Sequence, residues 1–204
     1  KAGNRFGYRG NFVWASKRQD HAVYAELPLL YAASSNKFGL SDMRFRYYWV
    51  PYRNYSKKPG AFGFALDAYA PTGKFENDLG MGRWIAAPGI TTAFVFGSFS
   101  TFPVLSYLHC SGILSDKVSA ENKKELNGFI MQFVCVYKFS KKNYLDCTPY
   151  FIKNSYTNAG KDDFQVESNY LYMVKKNKLQ VGGFVRRIFR GNVTTVRASV
   201  RLYL

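Results

Sequence analysis

Val193-Thr194-Thr195-Val196-Arg197-Ala198-Ser199-Val200-Arg201-Leu202-Tyr203-Leu204 alternates without a break. In an extended chain, successive side chains point to opposite faces, so Val196, Ala198, Val200, Leu202 and Leu204 share one face and Thr195, Arg197, Ser199, Arg201 and Tyr203 share the other. One face suits lipid and the other suits water. The period of two predicts a β-strand. Strands of soluble sandwiches also alternate, so what surrounds this segment has to decide the fold.

Working outward, period-two segments recur over nearly the whole chain at about the spacing that barrel strands of roughly 10 residues require. Eleven are predicted, covering approximately residues 6–16, 21–32, 40–52, 61–71, 83–96, 99–110, 127–139, 143–152, 164–174, 179–188 and 193–204. Segment 40–52 sets Met43, Phe45, Tyr47 and Trp49 against Arg44, Arg46 and Tyr48, whereas 127–139 is apolar on both faces in places. The connections largely alternate between short and long, as membrane barrels alternate short periplasmic turns with longer outer loops. Lys175–Lys178, Ser140–Lys142 and Gly97–Ser98 are short; Lys153–Asp163, Ser111–Leu126 and Thr72–Gly82 are long. Arg190–Asn192 is short where a long loop is expected, and Arg53–Gly60 is long where a short turn is expected. Together these features predict a single all-β domain over 1–204, an antiparallel transmembrane β-barrel of about 10–12 strands. A bacterial single-chain barrel has an even strand number. Eleven segments therefore imply either a further N-terminal strand outside this sequence, giving twelve, or one segment too many, giving ten.

Composition agrees. Pro, Gly, Arg or Lys interrupts every candidate for the roughly 18-residue apolar run that a membrane-spanning helix needs. The 16 Tyr, 18 Phe and 3 Trp make up 18% of the 204 residues and lie mostly in or beside the alternating segments, as aromatic girdles would. The formal charge of +16 is compatible with nucleic acid, anionic lipid or an anionic solute. Many of the lysines fall in turns (Lys57, Lys58, Lys123, Lys124, Lys141, Lys142, Lys175, Lys176) and read as solvated loops; without a concentrated basic motif, nucleic acid is not expected as a partner. Cys110, Cys135 and Cys147 match no zinc or redox spacing and read as small apolar sheet residues.

The stretch Phe64 to Trp84 contains Pro71-Thr72-Gly73 and Leu79-Gly80-Met81-Gly82. A strand ending in Pro-Thr-Gly, followed by a loop leading to Leu-Gly-x-Gly, resembles the outer-membrane family named for the meta-pathway of phenol degradation. The strand after it and the aromatic-rich one ending near Tyr107 are also similar to that family. The resemblance implies a β-barrel and a transporter or channel for small organic solutes, with no catalytic residues. The chain end is similar to an outer-membrane assembly signal, with Leu204 in place of the usual terminal Phe. Read physically, Pro71 lacks a ladder donor and Gly73 permits the tight turn that follows.

Arg44, Arg46, Arg197 and Arg201 alternate with apolar neighbours and are expected to face the lumen, because an arginine on the lipid face at mid-bilayer costs roughly 2–4 kcal/mol. There they either pair with Glu26, Asp67, Asp146 and Glu167 and plug the interior, or line an anion-selective constriction. Arg186 and Arg187 are adjacent and cannot share a face. Trp14, Trp49, Tyr52, Trp84 and Tyr203 lie near segment ends, where amphipathic rings anchor at lipid headgroups; the alternative is core packing in a soluble sheet. His21 and His109 are the only histidines, and Ser106 with His109 lacks a carboxylate partner for a triad. No enzyme activity, metal or cofactor is expected. Two functions from different classes follow: a bacterial outer-membrane channel or transporter for small polar or anionic organic solutes, and a closed accessory barrel serving a larger cell-envelope complex through protein partners. A soluble lipid- or nucleic-acid-binding β protein is the third.

Overall fold

A computed structural model describes residues 4–119, 123–154, 161–176 and 178–204. Its strands follow the alternating segments closely: β1 (Arg5–Ala15), β2 (His21–Ala32), β3 (Lys37–Leu40), β4 (Met43–Arg53), β5 (Ala61–Ala70), β6 (Ile85–Phe96), β7 (Phe99–Cys110), β8 (Leu126–Lys138), β9 (Asn143–Lys153), β10 (Asp163–Lys175), β11 (Leu179–Ile188) and β12 (Val193–Tyr203). Each pairs with its sequence neighbour, and β1 pairs with β12 to close the sheet on itself as an 11-strand barrel. Closure removes the free edges that would otherwise present unpaired backbone groups.

The count of eleven has a simple origin. β3 and β4 both pair with β2, at Leu29–Ala32 and His21–Glu26 respectively, so they form one stave broken at Ser41–Asp42. The expectation of ten or twelve strands assumed that every neighbouring pair is antiparallel. Ten pairs around the ring are, but β1 and β12 run in parallel, in register from Arg5↔Thr195 to Val13↔Tyr203, and a parallel closing pair permits an odd number.

The two rims differ. One carries the turns after β1, β4, β6, β8 and β10; the other carries the β3 excursion, the long connections after β5, β7 and β9, and the short Phe189–Asn192 turn. The outer face between them is apolar on every stave. Phe12, Leu29, Phe64, Ile90, Leu105, Phe129, Phe151, Tyr170, Val185 and Val200 all stand outward and exposed. Among the described residues, the charged side chains, histidine aside, on outward-facing strand positions lie at the stave ends: Lys153 and Arg187 adjoin the long-loop rim, and Lys175, past the bulge in β10, adjoins the short-turn rim. Inside, near that rim, an apolar plug forms from Ile85, Ala87, Leu108, Cys110, Ile130 and Ile152, with Leu30 and Ala32 beside it.

The parallel closure is directly testable. Phe12 and Leu202 are register partners on the outer face. In a background with the three native cysteines replaced, cysteines at Phe12 and Leu202 are expected to form a disulfide on oxidation of the folded protein. Cysteines at Phe12 and Val196 are not, because Val196 pairs with Phe6. A shift in gel mobility that reverses on reduction reads the outcome.

Candidate functional site

The inner face of the barrel is where polar chemistry collects. Arg9 of β1, Glu26 of β2, Arg44 and Arg46 of β4, Asp67 of β5, Asp146 of β9, Glu167 and Asn169 of β10, Arg186 of β11 and Arg197 and Arg201 of β12 all project into the lumen. Each occupies an inward position of its strand's two-residue alternation, and register places them at similar depth: Arg44 stands beside Glu26 on one side, and Arg46 beside Asp67 on the other.

Two carboxylates act as hubs. Glu26 accepts from Arg197 Nη1 at 2.8 Å and pairs with Arg9 Nη1 at 3.4 Å. Glu167 pairs with Arg44 Nη1 at 3.7 Å, Arg46 Nη2 at 3.8 Å and Arg186 Nε at 3.5 Å, and accepts the Tyr150 hydroxyl at 2.8 Å. Asp67 takes the Arg44 guanidinium in a two-point contact, with Nε to Oδ1 at 2.8 Å, and lies 3.6 Å from Arg46 Nε. β10 and β4 are five staves apart around one side of the ring and six around the other, so the Glu167 contacts cross the full width of the lumen. Paired, hydrogen-bonded charges of this kind are tolerated in an interior, whereas single ones are not. Aromatic faces complete the layer: the Arg9 guanidinium carbon lies 4.0 Å from the Phe184 ring centre, and that of Arg44 lies 4.9 Å from Tyr69.

Of the four expected lumen arginines, Arg44, Arg46 and Arg197 thus pair with expected acidic partners. Arg201 differs: it reaches Gln180 Oε1 at 3.4 Å, and its buried Nε makes no hydrogen bond among the described residues. Asp146 is held by the Asn169 amide rather than by an arginine. Arg9, not singled out in the sequence, and Arg186, whose side chain points inward while that of Arg187 points outward, complete the layer. Arg9 was legible there, since Phe6, Tyr8, Phe12 and Trp14 take the opposite parity.

Below this layer a cavity of about 360 Å³ opens toward the short-turn rim. Its walls are unlike. Ala61, Ala93, Phe102, Val104, Val134 and Val136 make one side apolar, while Arg9, Glu26, Arg46, Asp146 and Arg201 make the other charged. The long Arg53–Gly60 connection, anomalous for a short-turn rim, brings Tyr55 to the mouth. Around that mouth stand Lys17 and Arg18 after β1, Arg53 at the end of β4, and Lys57 and Lys58 after it. Lys138 ends β8, with Lys141 and Lys142 in the turn that follows, and Lys175 ends β10, with Lys176 and Lys178 beyond it. All are exposed. Among the described residues of this rim, only Asp20 is an acidic side chain.

The opposite end is capped by the loop between β5 and β6. Asp42, at the break between β3 and β4, accepts the amide N–H of Gly73 at 3.0 Å and of Met81 at 2.6 Å, and Thr72 donates to the Ser41 carbonyl at 2.7 Å. The strap is so close that a Cβ on Gly80 would lie 2.6 Å from the Gly73 carbonyl oxygen, and one on Gly73 would lie 2.7 Å from that of Leu79. Leu79 is thereby driven against Leu30 and Ala32, and Met81 against the Ile85 cluster. Pro71-Thr72-Gly73 and Leu79-Gly80-Met81-Gly82 are therefore the two halves of a cap. Burial pushes the Asp42 carboxyl above its ordinary range, and its two amide donors pull the other way.

Trp14, Trp49, Tyr52 and Trp84 are exposed, near the ends of the staves, and Trp49 stacks on Phe64 with ring centres 5.3 Å apart. Tyr203 was expected to share their outward position and does not: its odd parity in β12 turns it inward, where its hydroxyl donates to Gln180 at 3.0 Å. His21 bonds the Tyr47 hydroxyl and His109 bonds Asn127, both on the outer face, whereas Ser106 is inward and buried. No protein-family model matches the chain, and no curated protein matches it.

Two expectations follow for the cap. Leu79→Ala is expected to cost about 2–5 kcal/mol as a buried large-to-small change, read from the urea midpoint and from faster proteolysis within 71–84. Because the folded Asp42 carboxyl holds its proton at pH values where the unfolded one has lost it, its contribution to stability falls as pH rises from the ordinary carboxylate range through the folded value. Asp42→Asn is expected to abolish that slope and, with one acceptor oxygen in place of two, to keep only one of the two amide contacts, whereas Asp42→Ala leaves both amides without an acceptor and loses the strap.

Proposed function

We propose that the chain is a bacterial outer-membrane β-barrel that takes a small polar or anionic organic solute into its lumen from the short-turn side, with passage requiring the Glu167 layer and the cap to part. The observation that carries this reading is the inversion of the two faces, with an apolar exterior on every stave and an interior holding paired charges and a cavity. Soluble monomers rarely expose contiguous apolar patches beyond a few hundred Å². A belt of this kind finds its solvent in hydrocarbon, and aromatic rings near the stave ends suit the headgroup region. The resemblance of the cap segment to the meta-pathway phenol-degradation family supports the same solute class. No catalytic role is proposed for any residue.

The filled middle layer also favours a second reading, a closed accessory barrel within an envelope complex. The two differ in transport. Purified protein in lipid vesicles is expected to speed uptake of small organic anions above protein-free vesicles, with saturation; no uptake over vesicles alone would favour the accessory barrel. Membrane insertion is tested separately. Leu105→Arg, at an exposed outward position near the middle of β7, is expected to lower folding stability in phospholipid vesicles by about 2–4 kcal/mol. In a soluble barrel the same exposed change would stay within about 0.5 kcal/mol.

A further inference from the structure

The lumenal arginines are not equivalent. Arg9, Arg44, Arg46, Arg186 and Arg197 each pair with Glu26, Asp67 or Glu167, and of these Arg9, Arg44 and Arg46 line the cavity together with Glu26 and Glu167. Arg201 lines the same cavity with no carboxylate within ion-pair distance among the described residues, and its Nε is buried without a hydrogen-bond partner. A guanidinium in that state is a site for one anionic group, since its remaining donors match a planar carboxylate. Facing it across the cavity are Ala93, Val104 and Val136, which offer only apolar contact. Asp146 and Glu26 share the charged wall and disfavour a second negative charge on the ligand. The basic collar surrounds the mouth of this cavity, whereas the other rim is closed by the cap. Such one-signed charge around a cleft raises the local concentration of anions and speeds their entry.

Resting on the proposed solute-binding reading, we propose that the ligand is an amphiphilic monoanion, a small organic acid with an apolar body, which enters between the collar lysines, seats its carboxylate on Arg201 and lays its body against the β6–β8 wall. Dianions such as phosphate fit neither wall. The cap plays no part in entry.

The test is equilibrium binding of octanoate to the folded, detergent-solubilised protein, with octanamide and inorganic phosphate as comparison probes. Octanoate is expected to bind at one site, octanamide at least about tenfold more weakly, for loss of the charged contact, and phosphate not to compete. Arg201→Gln is expected to weaken octanoate by a similar factor while leaving octanamide unchanged, and Ala93→Phe, which fills the cavity without touching a charge, to abolish both. Association of octanoate should slow as salt is raised, and slow further still when the collar lysines 141, 142, 175 and 176 are replaced by glutamine. Equal binding of acid and amide, with Arg201→Gln silent, would overturn the monoanion assignment and leave a neutral-solute cavity standing. No binding of either probe would overturn the assignment too, and vesicle uptake then decides the broader reading on its own.

Discussion

Glu167 holds the interior together. A carboxylate taken out of water is costly unless opposite charges and hydrogen-bond donors replace its hydration, and here Tyr150 donates a hydrogen bond while Arg44, Arg46 and Arg186 stand within ion-pair distance, from three different staves in all. Two of those arginines sit on the far wall of the barrel. No ladder hydrogen bond joins β4 to β10, so these ion pairs are the direct tie between opposite walls, and they set the level at which the lumen is filled. What lies on either side of the layer follows from it: an apolar plug where no charge remains to be solvated, and a cavity where Arg201 is left over.

The barrel is polarised along its axis. At one end, Asp42 uses the break between β3 and β4 to reach two amides of the following loop, and Leu79 and Met81 are pressed into the plug. At the other end, the connections are short and lysine-rich, and the cavity opens among them. Most of the chain's excess positive charge outside the lumen therefore surrounds one mouth rather than being spread over the whole surface. The open mouth on that side, and the cap at the other, are consequences of where the loops fall.

Much of this was legible in the sequence, because the two-residue period is a local property that the inner and outer faces of a closed barrel enforce at every position. The alternation in 193–204 and 40–52 assigned Arg44, Arg46, Arg197 and Arg201 to the interior, and the structure places them there. Arg9 carried the same signal in 6–16, where two glycines dilute the pattern. The turn lysines carried a further one. They read as ordinary solvated loops when taken singly, yet sorting the connections by parity puts 17–18, 57–58, 141–142 and 175–176 on the same rim. The acidic partners were expected as a set, but which group each one meets was not legible: Asp146 takes Asn169 through the β9–β10 register, and Glu167 reaches β4 across the closed ring, neither of which a spacing in the chain encodes. The parallel β1–β12 closure was hidden for the same reason, and Tyr203 was misplaced because proximity to a segment end was given more weight than parity.

The central claim is that Glu167 on β10 grips Arg44 on β4 across the lumen. A double-mutant cycle on protein folded in vesicles, with Arg44→Ala, Glu167→Ala and the pair, tests it most directly, since two residues that are neither sequence neighbours nor ladder partners couple only if they meet. The account predicts that the double variant is less destabilised than the sum of the single ones, by about 0.5–3 kcal/mol. Strict additivity would contradict it, leaving the two walls of the barrel untied.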